Sequence, residues 1–383
     1  MKNAKVIVVG GGLVGLSIAW HLKKNGAHPI LMDRHALAQE ASAAGAGMLP
    51  LHSVAFDTPA LFELSKFSYK LYPNWVKEMK RVTGLDPEWE KSGSMGLLFS
   101  PGEEKNARTL AKRLVELGME VRWLNGKEAR RKEPVLPKDV RKAMYLPETT
   151  QIRPAAMCLT ASEAVRRAGV TVHTGETVKS LVTRGGRVVG VKTDVRKIEA
   201  DAVVLATGAW APELLRPFGI ELPVYPLRGQ VLLLQGPAKG IKNILFATGY
   251  YIVPRRGGEL YVGSTLEKAG FEKVVTPEAI ATLATAARRI APGLPYMNVS
   301  GYFAGLRPGS IDGHPFLGHV PGTDGLYIAA GHHTHGHLLS AATGYLMAQL
   351  ILGEKTDLDL APFAVGRKPY PLEPPWWSKL AQV

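Results

Sequence analysis

Residues Val6 to Asp33, VIVVGGGLVGLSIAWHLKKNGAHPILMD, leave few folds open to this chain. The apolar run Val6 to Val9 enters Gly10-Gly11-Gly12-Leu13-Val14-Gly15; a segment of helical composition runs from Leu13 to Asn25 and stops at Gly26; a second apolar run ends at Asp33. The pattern predicts strand, tight turn, helix, strand. Each glycine of G-x-G-x-x-G answers a separate demand: Gly10 the turn, Gly12 the approach of a pyrophosphate to bare backbone, Gly15 the packing of helix on strand. Phosphate then sits on the free N–H groups of the helix N-terminus, where the helix dipole favours negative charge. Asp33, about twenty residues past the glycines, is placed to accept hydrogen bonds from an adenosine ribose. Lys2 and Lys5 before an apolar run have the look of a secretory signal, but three adjacent glycines break its apolar region and no A-x-A cleavage site follows. The stretch therefore predicts a dinucleotide-binding α/β domain.

Further along, the chain leaves that domain and returns to it. Ala41 to Met48, ASAAGAGM, is almost wholly small residues, the composition of backbone that lies against a flat ring, with a flexible linker as the plainer alternative. Amphipathic spacing predicts helices over Pro59 to Val76 and Glu103 to Leu117, with a strand at Ser94 to Ser100 between them. A helix over Pro154 to Arg167, a strand at Val170 to His173, and a hairpin of Val178 to Thr183 with Val188 to Thr193 follow. The buried strand Ala202 to Ala206 opens into Thr207-Gly208-Ala209-Trp210, a second glycine turn. From Pro223 the strands Gln230 to Leu234, Tyr251 to Pro254, Leu260 to Ser264 and Asn298 to Leu306 predict an antiparallel sheet forming a pocket wall. A helix over Pro277 to Ile290 is capped by Thr276. The strand Gly325 to Ala330, Gly331 and a small-residue helix from Gly336 to Leu352 close the nucleotide domain a third time.

No apolar run reaches the eighteen or so residues of a membrane span, so an integral membrane protein is not expected. One cysteine, Cys158, excludes an intrachain disulfide and a cysteine-rich metal site, and a reducing cytoplasm is the expected setting. Lys+Arg of 47 against Asp+Glu of 33 give a net charge of +14, spread without long blocks, which reads as a solvated basic surface. Basic segments interleaved with aromatics are missing, which argues against a nucleic-acid partner. The tail PPWW (Pro374 to Trp377) with Lys379 suits weak peripheral contact with an anionic membrane, or packing on the protein's own body.

GGGLVG with Asp33, LATGAW (Leu205 to Trp210), GLRPGSIDGHPFLG (Gly305 to Gly318) and AAGHHTHGHLLSAATG (Ala329 to Gly344) together resemble the FAD-dependent D-amino-acid oxidase superfamily. AGMLP (Ala46 to Pro50) and YIVPR (Tyr251 to Arg255) are most similar to its glycine oxidase branch. The resemblance implies an α/β fold in which a Rossmann-like FAD-binding domain (1–83, 146–221 and 306–365) is interleaved with an α+β substrate domain built on an antiparallel sheet (84–145 and 222–305), followed by a tail (366–383). It implies non-covalent FAD and a homo-oligomer. Cofactor contacts are implied at Gly10, Gly12, Leu13, Val14, Gly15, Asp33, Arg34, Ser42, Ala46, Gly47, Met48, Val178, Gly208, His332, Thr334, His335, Gly336, His337 and Leu338. The last helix would aim its N-terminus at flavin N1 and O2, where reduction places negative charge. Arg307, Tyr251 and Met48 are the implied residues at the reacting end, with Arg307 and Tyr251 on the substrate carboxylate.

The implied reaction is hydride transfer from a small amino acid (glycine, sarcosine or a D-amino acid) to flavin N5, giving a keto acid or glyoxylate, ammonia and, with molecular oxygen, hydrogen peroxide. The competing readings are a dehydrogenase of the same fold with a quinone or dye as acceptor, and a flavoprotein acting on modified RNA. Three positions depart from the branch as aligned: Thr334 stands where an arginine is expected, Gly249 for a histidine and Leu266 for a methionine, which predicts a wider, less polar pocket. His332, His333, His335 and His337 lack acid or cysteine partners at metal-site spacing, so no metal is expected; one is read as a hydrogen-bond donor to the flavin and the rest as surface.

Overall fold

A computed structural model of the chain describes residues 3–236, 240–294 and 297–371. Its first layer is a six-stranded sheet in the order Phe316–His319, Leu326–Ala330, Ala202–Leu205, Lys5–Val9, His28–Asp33 and Thr171–Thr174. All neighbours run parallel except Phe316–His319 with Leu326–Ala330. Ala202–Leu205 and Leu326–Ala330 are buried along their whole length, and Lys5–Val9 from Val6 onward, as parallel strands covered on both faces require. The first strand is central, with the second to one side and Ala202–Leu205 to the other. The carboxyl end of Lys5–Val9 is thus the point where the strand order reverses, and a crevice opens there.

The helix Leu13–Lys24 packs on the helix Gly336–Leu352, which also meets the long helix Pro59–Thr83. Contact is close because Gly344 presents no side chain: a Cβ there would lie 2.0 Å from Ser17 Oγ and 2.6 Å from the Ser17 carbonyl carbon. A second anchor is Ser68 Oγ, which accepts from the Ala342 N–H at 2.9 Å. Gly336–Leu352 is apolar almost all round because it is buried almost all round.

The second layer is an eight-stranded sheet ordered Asn298–Ser310, Val224–Gln235, Glu259–Gly263, Tyr250–Pro254, Ile244–Ala247, Ser94–Leu98, Lys142–Leu146 and Arg122–Asn125. The four strands expected to form an antiparallel wall pair antiparallel, and the sheet adds one parallel pair, Ile244–Ala247 with Ser94–Leu98. These two strands come from separate stretches of chain, so no hairpin fixes their relative direction. On one face Leu283, Ala287 and Ile290 of the helix Pro277–Ile290 pack with Leu232, Ile252 and Val262. Thr276 caps that helix as expected, its hydroxyl accepting from the Ala279 N–H.

Other departures from the sequence reading have local causes. Pro59–Thr83 runs past Val76 and ends at Gly84, whose φ of 75° stops it; Pro73 is accommodated inside it. The small-residue stretch is not a linker: Ala41–Ala44 is a short helix, and Met48–Leu49 pairs with Thr150–Gln151, which also pairs with Glu90–Lys91. Lys142–Leu146, Ile244–Ala247 and Phe316–His319, short strands unread in the sequence, are set by their neighbours in the sheets. The Trp pair of the tail lies outside the described residues. Among the described residues no helix is long and apolar enough to cross a membrane.

The helix contact predicts that Gly344→Ala destabilises the protein by about 1–3 kcal/mol, the cost of overfilling a packed interface. Urea unfolding measures it; a change below about 0.5 kcal/mol, the range of surface substitutions, would mean the two helices separate freely.

Candidate active site

Three chain segments meet at the end of the first strand. Gly10 has φ of 105°, and a Cβ on it would lie 2.4 Å from the Ala206 carbonyl oxygen; a Cβ on Gly15 would lie 1.9 Å from the Gly10 carbonyl oxygen. First strand, first helix and the strand Ala202–Leu205 are therefore in backbone contact. Gly11, which the motif leaves free, is also constrained, because a Cβ there would lie 2.4 Å from Leu37 Cδ2. Asp33 is held by two backbone donors, Gly11 N–H to Oδ2 and His35 N–H to Oδ1, both at 2.8 Å. The Ser42 hydroxyl accepts from the Leu13 N–H at 2.9 Å, tying the small-residue segment to the N-terminus of the first helix.

The same segment is pinned at its other end. His337 Nε2 donates to the Ser42 carbonyl at 2.9 Å, and Gly45 lies against that imidazole, where a Cβ would come within 2.2 Å of Cε1. Gly47, with φ of 65°, turns its carbonyl to the Ile152 N–H at 2.8 Å, and the Ala46 carbonyl accepts from Arg255 Nη2. Small residues here are required by close packing.

At the far end, Arg307 Nη1 donates to the Thr265 carbonyl at 3.2 Å and Nη2 to Ser264 Oγ at 2.7 Å. Its guanidinium lies on Gly229, where a Cβ would fall 1.9 Å from Nη1. Tyr251 is paired across the sheet with Gly263, whose missing side chain leaves room for the phenol ring. The phenol lies within electrostatic reach of the Arg307 guanidinium; burial lowers the Arg307 pKa, and among the described residues Arg307 forms no ion pair with a carboxylate. Ser264, Thr265, Gly229 and Gly263 were not read from the sequence, where isolated glycines in strands signal only close approach of something.

One cavity of about 550 Å³ joins these places, within the roughly 300–1,000 Å³ of small-molecule sites. Gly10, Gly12, Leu13, Val14, Asp33, Arg34, Ser42, Val178 and Gly208 line one end; Ala46, Gly47, Met48, Tyr251, Arg307, His332, Thr334, His335, Gly336 and His337 line the rest. Two sequence-predicted residues lie off it: Gly15 packs behind Gly10, and the Leu338 side chain belongs to the core. Trp210, part of the quoted LATGAW motif, carries the Arg34 guanidinium 4.0 Å above its ring.

The histidine reading is corrected. All four face the cavity, because the loop folds inward between Pro308 and the last helix: the His333 N–H donates to the Pro308 carbonyl at 2.9 Å, and His332 Nε2 bonds Thr343 Oγ1 at 3.1 Å. Thr334 Oγ1 lies 3.4 Å from both His333 Nδ1 and His335 Nε2, so this wall is polar, against expectation. Burial lowers the pKa of His332, His333 and His337 to about 4 and that of His335 to about 3. Among the described residues no cluster of three His, Cys, Asp or Glu is placed to hold a metal ion. Of the three departures from the branch pattern, Thr334 and Leu266 line the cavity, whereas Gly249 sits in a hairpin turn with φ of 83°.

The cavity fits an extended dinucleotide that carries negative charge. Gly208 has φ of 55° and open space where a side chain would be, the Thr207 hydroxyl is buried without a partner among the described residues, and two helix N-termini, Leu13 and Gly336, face the same space. Comparison with known proteins agrees. The model of the DAO family, FAD dependent oxidoreductase, matches residues 5–350. A glycine oxidase of Pseudomonas aeruginosa is 36% identical over 366 residues, covering 94% of this chain and 98% of the relative. The crystal structure of glycine oxidase from Geobacillus kaustophilus superposes with a TM-score of 0.91 at 30% identity, over 95% of this chain and 99% of that one. Iminodiacetate oxidase from Chelativorans sp. BNC1 superposes with a TM-score of 0.86 at 26% identity, over 96% and 100%.

The neutral imidazoles predict acid lability. Their folded pKa values lie below the unfolded value of about 6.5, so the unfolded chain binds more protons in between. The stability they contribute is complete above about pH 6.5 and is lost as pH falls through about 4. The urea midpoint of the FAD-bound protein should be level at neutral pH and drop across that window; a flat profile would show that these imidazoles stay solvated.

Proposed function

The chain belongs to the FAD dependent oxidoreductase family, and from that premise we propose that it oxidises the Cα–N bond of a small amino acid. The observation that carries this reading is Arg307, a cation at the cavity wall whose own bonds go to neutral oxygens of Thr265 and Ser264. Its remaining N–H groups match a carboxylate in plane and spacing, and Gly229 beneath it sets that plane. Glycine and iminodiacetate, named for the relatives, share a carboxylate one carbon from nitrogen, which supports the same anchor here.

Gly10, Gly12 and the N-terminus of Leu13–Lys24 would hold the FAD pyrophosphate, Asp33 the ribose, Val178 the adenine, and Ala46 to Met48 with the N-terminus of Gly336–Leu352 the ring. When bound, FAD supplies the two-electron acceptor for the Cα hydride, which no side chain of this protein can supply. Arg307 and Tyr251 fix the substrate by its carboxylate, so that the Cα–H is presented in one orientation. His333 and His335, neutral at pH 7, add polar ring nitrogens beside Arg307 without adding charge, and the ammonium proton leaves to solvent before the amine reacts. The products are an imino acid that water hydrolyses to a keto acid, or to glyoxylate from a glycine, with release of ammonia or the amine. Molecular oxygen as acceptor gives hydrogen peroxide.

Thr334 and Leu266 leave space that glycine cannot fill, whereas an N-alkyl glycine or a D-amino acid gains roughly 0.8 kcal/mol per buried methylene. The polar histidine wall keeps the pocket from being an apolar slot, so the preference should be graded, within the roughly 10- to 200-fold of one methylene.

Two experiments test the reading. Arg307→Ala should lower kcat/KM by roughly thirty- to several-thousand-fold, the equivalent of about 2–5 kcal/mol, with FAD still bound; Gly229→Ala, which displaces the guanidinium, should move in the same direction. Equal reduction of FAD in variant and parent would make Arg307 structural. Anaerobic reduction by glycine, sarcosine, D-alanine and D-proline, followed by air and a peroxide assay, ranks substrates and identifies the acceptor. Glycine ahead of the other three would overturn the wider pocket.

A further inference from the structure

Arg255 is a buried cation with an unusual set of partners. It is 5% exposed, donates Nη1 to Gln151 Oε1 at 2.7 Å and Nη2 to the Ala46 carbonyl, and lies 4.8 Å from the Tyr261 ring centroid. Among the described residues it forms no ion pair, and its Nε is buried without a partner. Gln151 is itself fixed, giving Nε2 to Glu90 Oε1 at 2.8 Å and to the Pro254 carbonyl at 3.1 Å. Glu90 and Glu259 act on it only at a distance; burying a charge without an acid in contact is costly, and a neutral amide could bond a carbonyl more cheaply. The cation therefore calls for a role that uses its charge.

The role follows from where the wall carbonyls point. Ala46, Gly47 and Met48 line the cavity, but the Ala46 carbonyl is turned to Arg255 and the Gly47 carbonyl to the Ile152 N–H, and neither Arg255 nor Ile152 lines it. This stretch of wall thus keeps two partial negative charges away from the space it bounds. Arg255 is also within electrostatic reach of His337 in the first turn of the last helix, so its charge adds to the positive end of that helix. Reduction of a ring lying there adds negative charge to it, and each of these features favours the reduced form.

We propose that Arg255 is a positioning residue that holds the Ala46 carbonyl out of the cavity and raises the reduction potential of the bound FAD. The proposal rests on the ring lying along Ala46 to Met48. Arg255→Met and Arg255→Lys test it, with FAD content and thermal melting confirming a folded, loaded protein. The potential of bound FAD, measured by equilibration with a reference dye, should fall in Arg255→Met so that the reduction equilibrium weakens at least tenfold, about 30 mV for a two-electron couple. Arg255→Lys, keeping charge and a donor, should recover part of this. Gln151→Glu, which sets an acid against the guanidinium without removing it, should also lower the potential, and it keeps the test open if Arg255→Met does not fold. KM should change little because Arg307 is untouched, while kcat falls.

An unchanged potential in folded Arg255→Met, or in Gln151→Glu, overturns the role of Arg255. Ala46→Val separates that failure from one of ring placement. If it leaves the visible spectrum of FAD unaltered, the ring lies elsewhere and the whole proposal falls. If it alters the spectrum while Arg255→Met leaves the potential intact, only the role of Arg255 is lost.

Discussion

The close approach of Gly15 to the carbonyl of Gly10 is the contact on which the rest depends. Because no side chain intervenes, the first helix begins directly where the first strand ends, and its N-terminal N–H groups face the crevice at the reversal of strand order. Everything that shapes the site is then placed relative to that turn. Ser42 bonds the first helical N–H; His337 bonds the Ser42 carbonyl; the last helix, fixed by Gly344 against Ser17, is thereby held with its own N-terminus toward the same cavity.

The cavity so built has a consistent electrostatic character. Two helix N-termini and the guanidinium of Arg307 face it, with Arg255 close behind its wall. Asp33 lies at the far end, its carboxylate committed to backbone donors. The four histidines between are kept neutral by burial, so they add polarity without adding to the positive charge. A substrate anion and an electron-accepting ring are both served by such a field. Glycines do much of the shaping: Gly229 and Gly263 have no role in any motif, yet they set the planes of Arg307 and Tyr251.

Much was legible along the chain because its signals are local. The glycine turn with Asp33, the exact spans of the helices Pro154–Arg167, Pro277–Ile290 and Gly336–Leu352, and the buried strands of the nucleotide sheet follow from spacing and capping within a few residues. The motifs around Arg307 and Tyr251 also pointed to residues that line the cavity. The reading of most of these histidines as surface failed, since the inward fold of that loop depends on contacts with Pro308, from the preceding motif, and with Thr343, a turn and more into the last helix.

The sequence by itself determined that a dinucleotide-binding α/β unit is present and that its strands recur late in the chain, because those features need only neighbouring residues. Tertiary structure alone decided that Arg255 reaches the Ala46 carbonyl, that Gly229 lies beneath Arg307, and that Ile244–Ala247 runs parallel to Ser94–Leu98. Each of these joins residues from about eighty to two hundred positions apart, and such pairings are set by how whole sheets pack, which no local periodicity records.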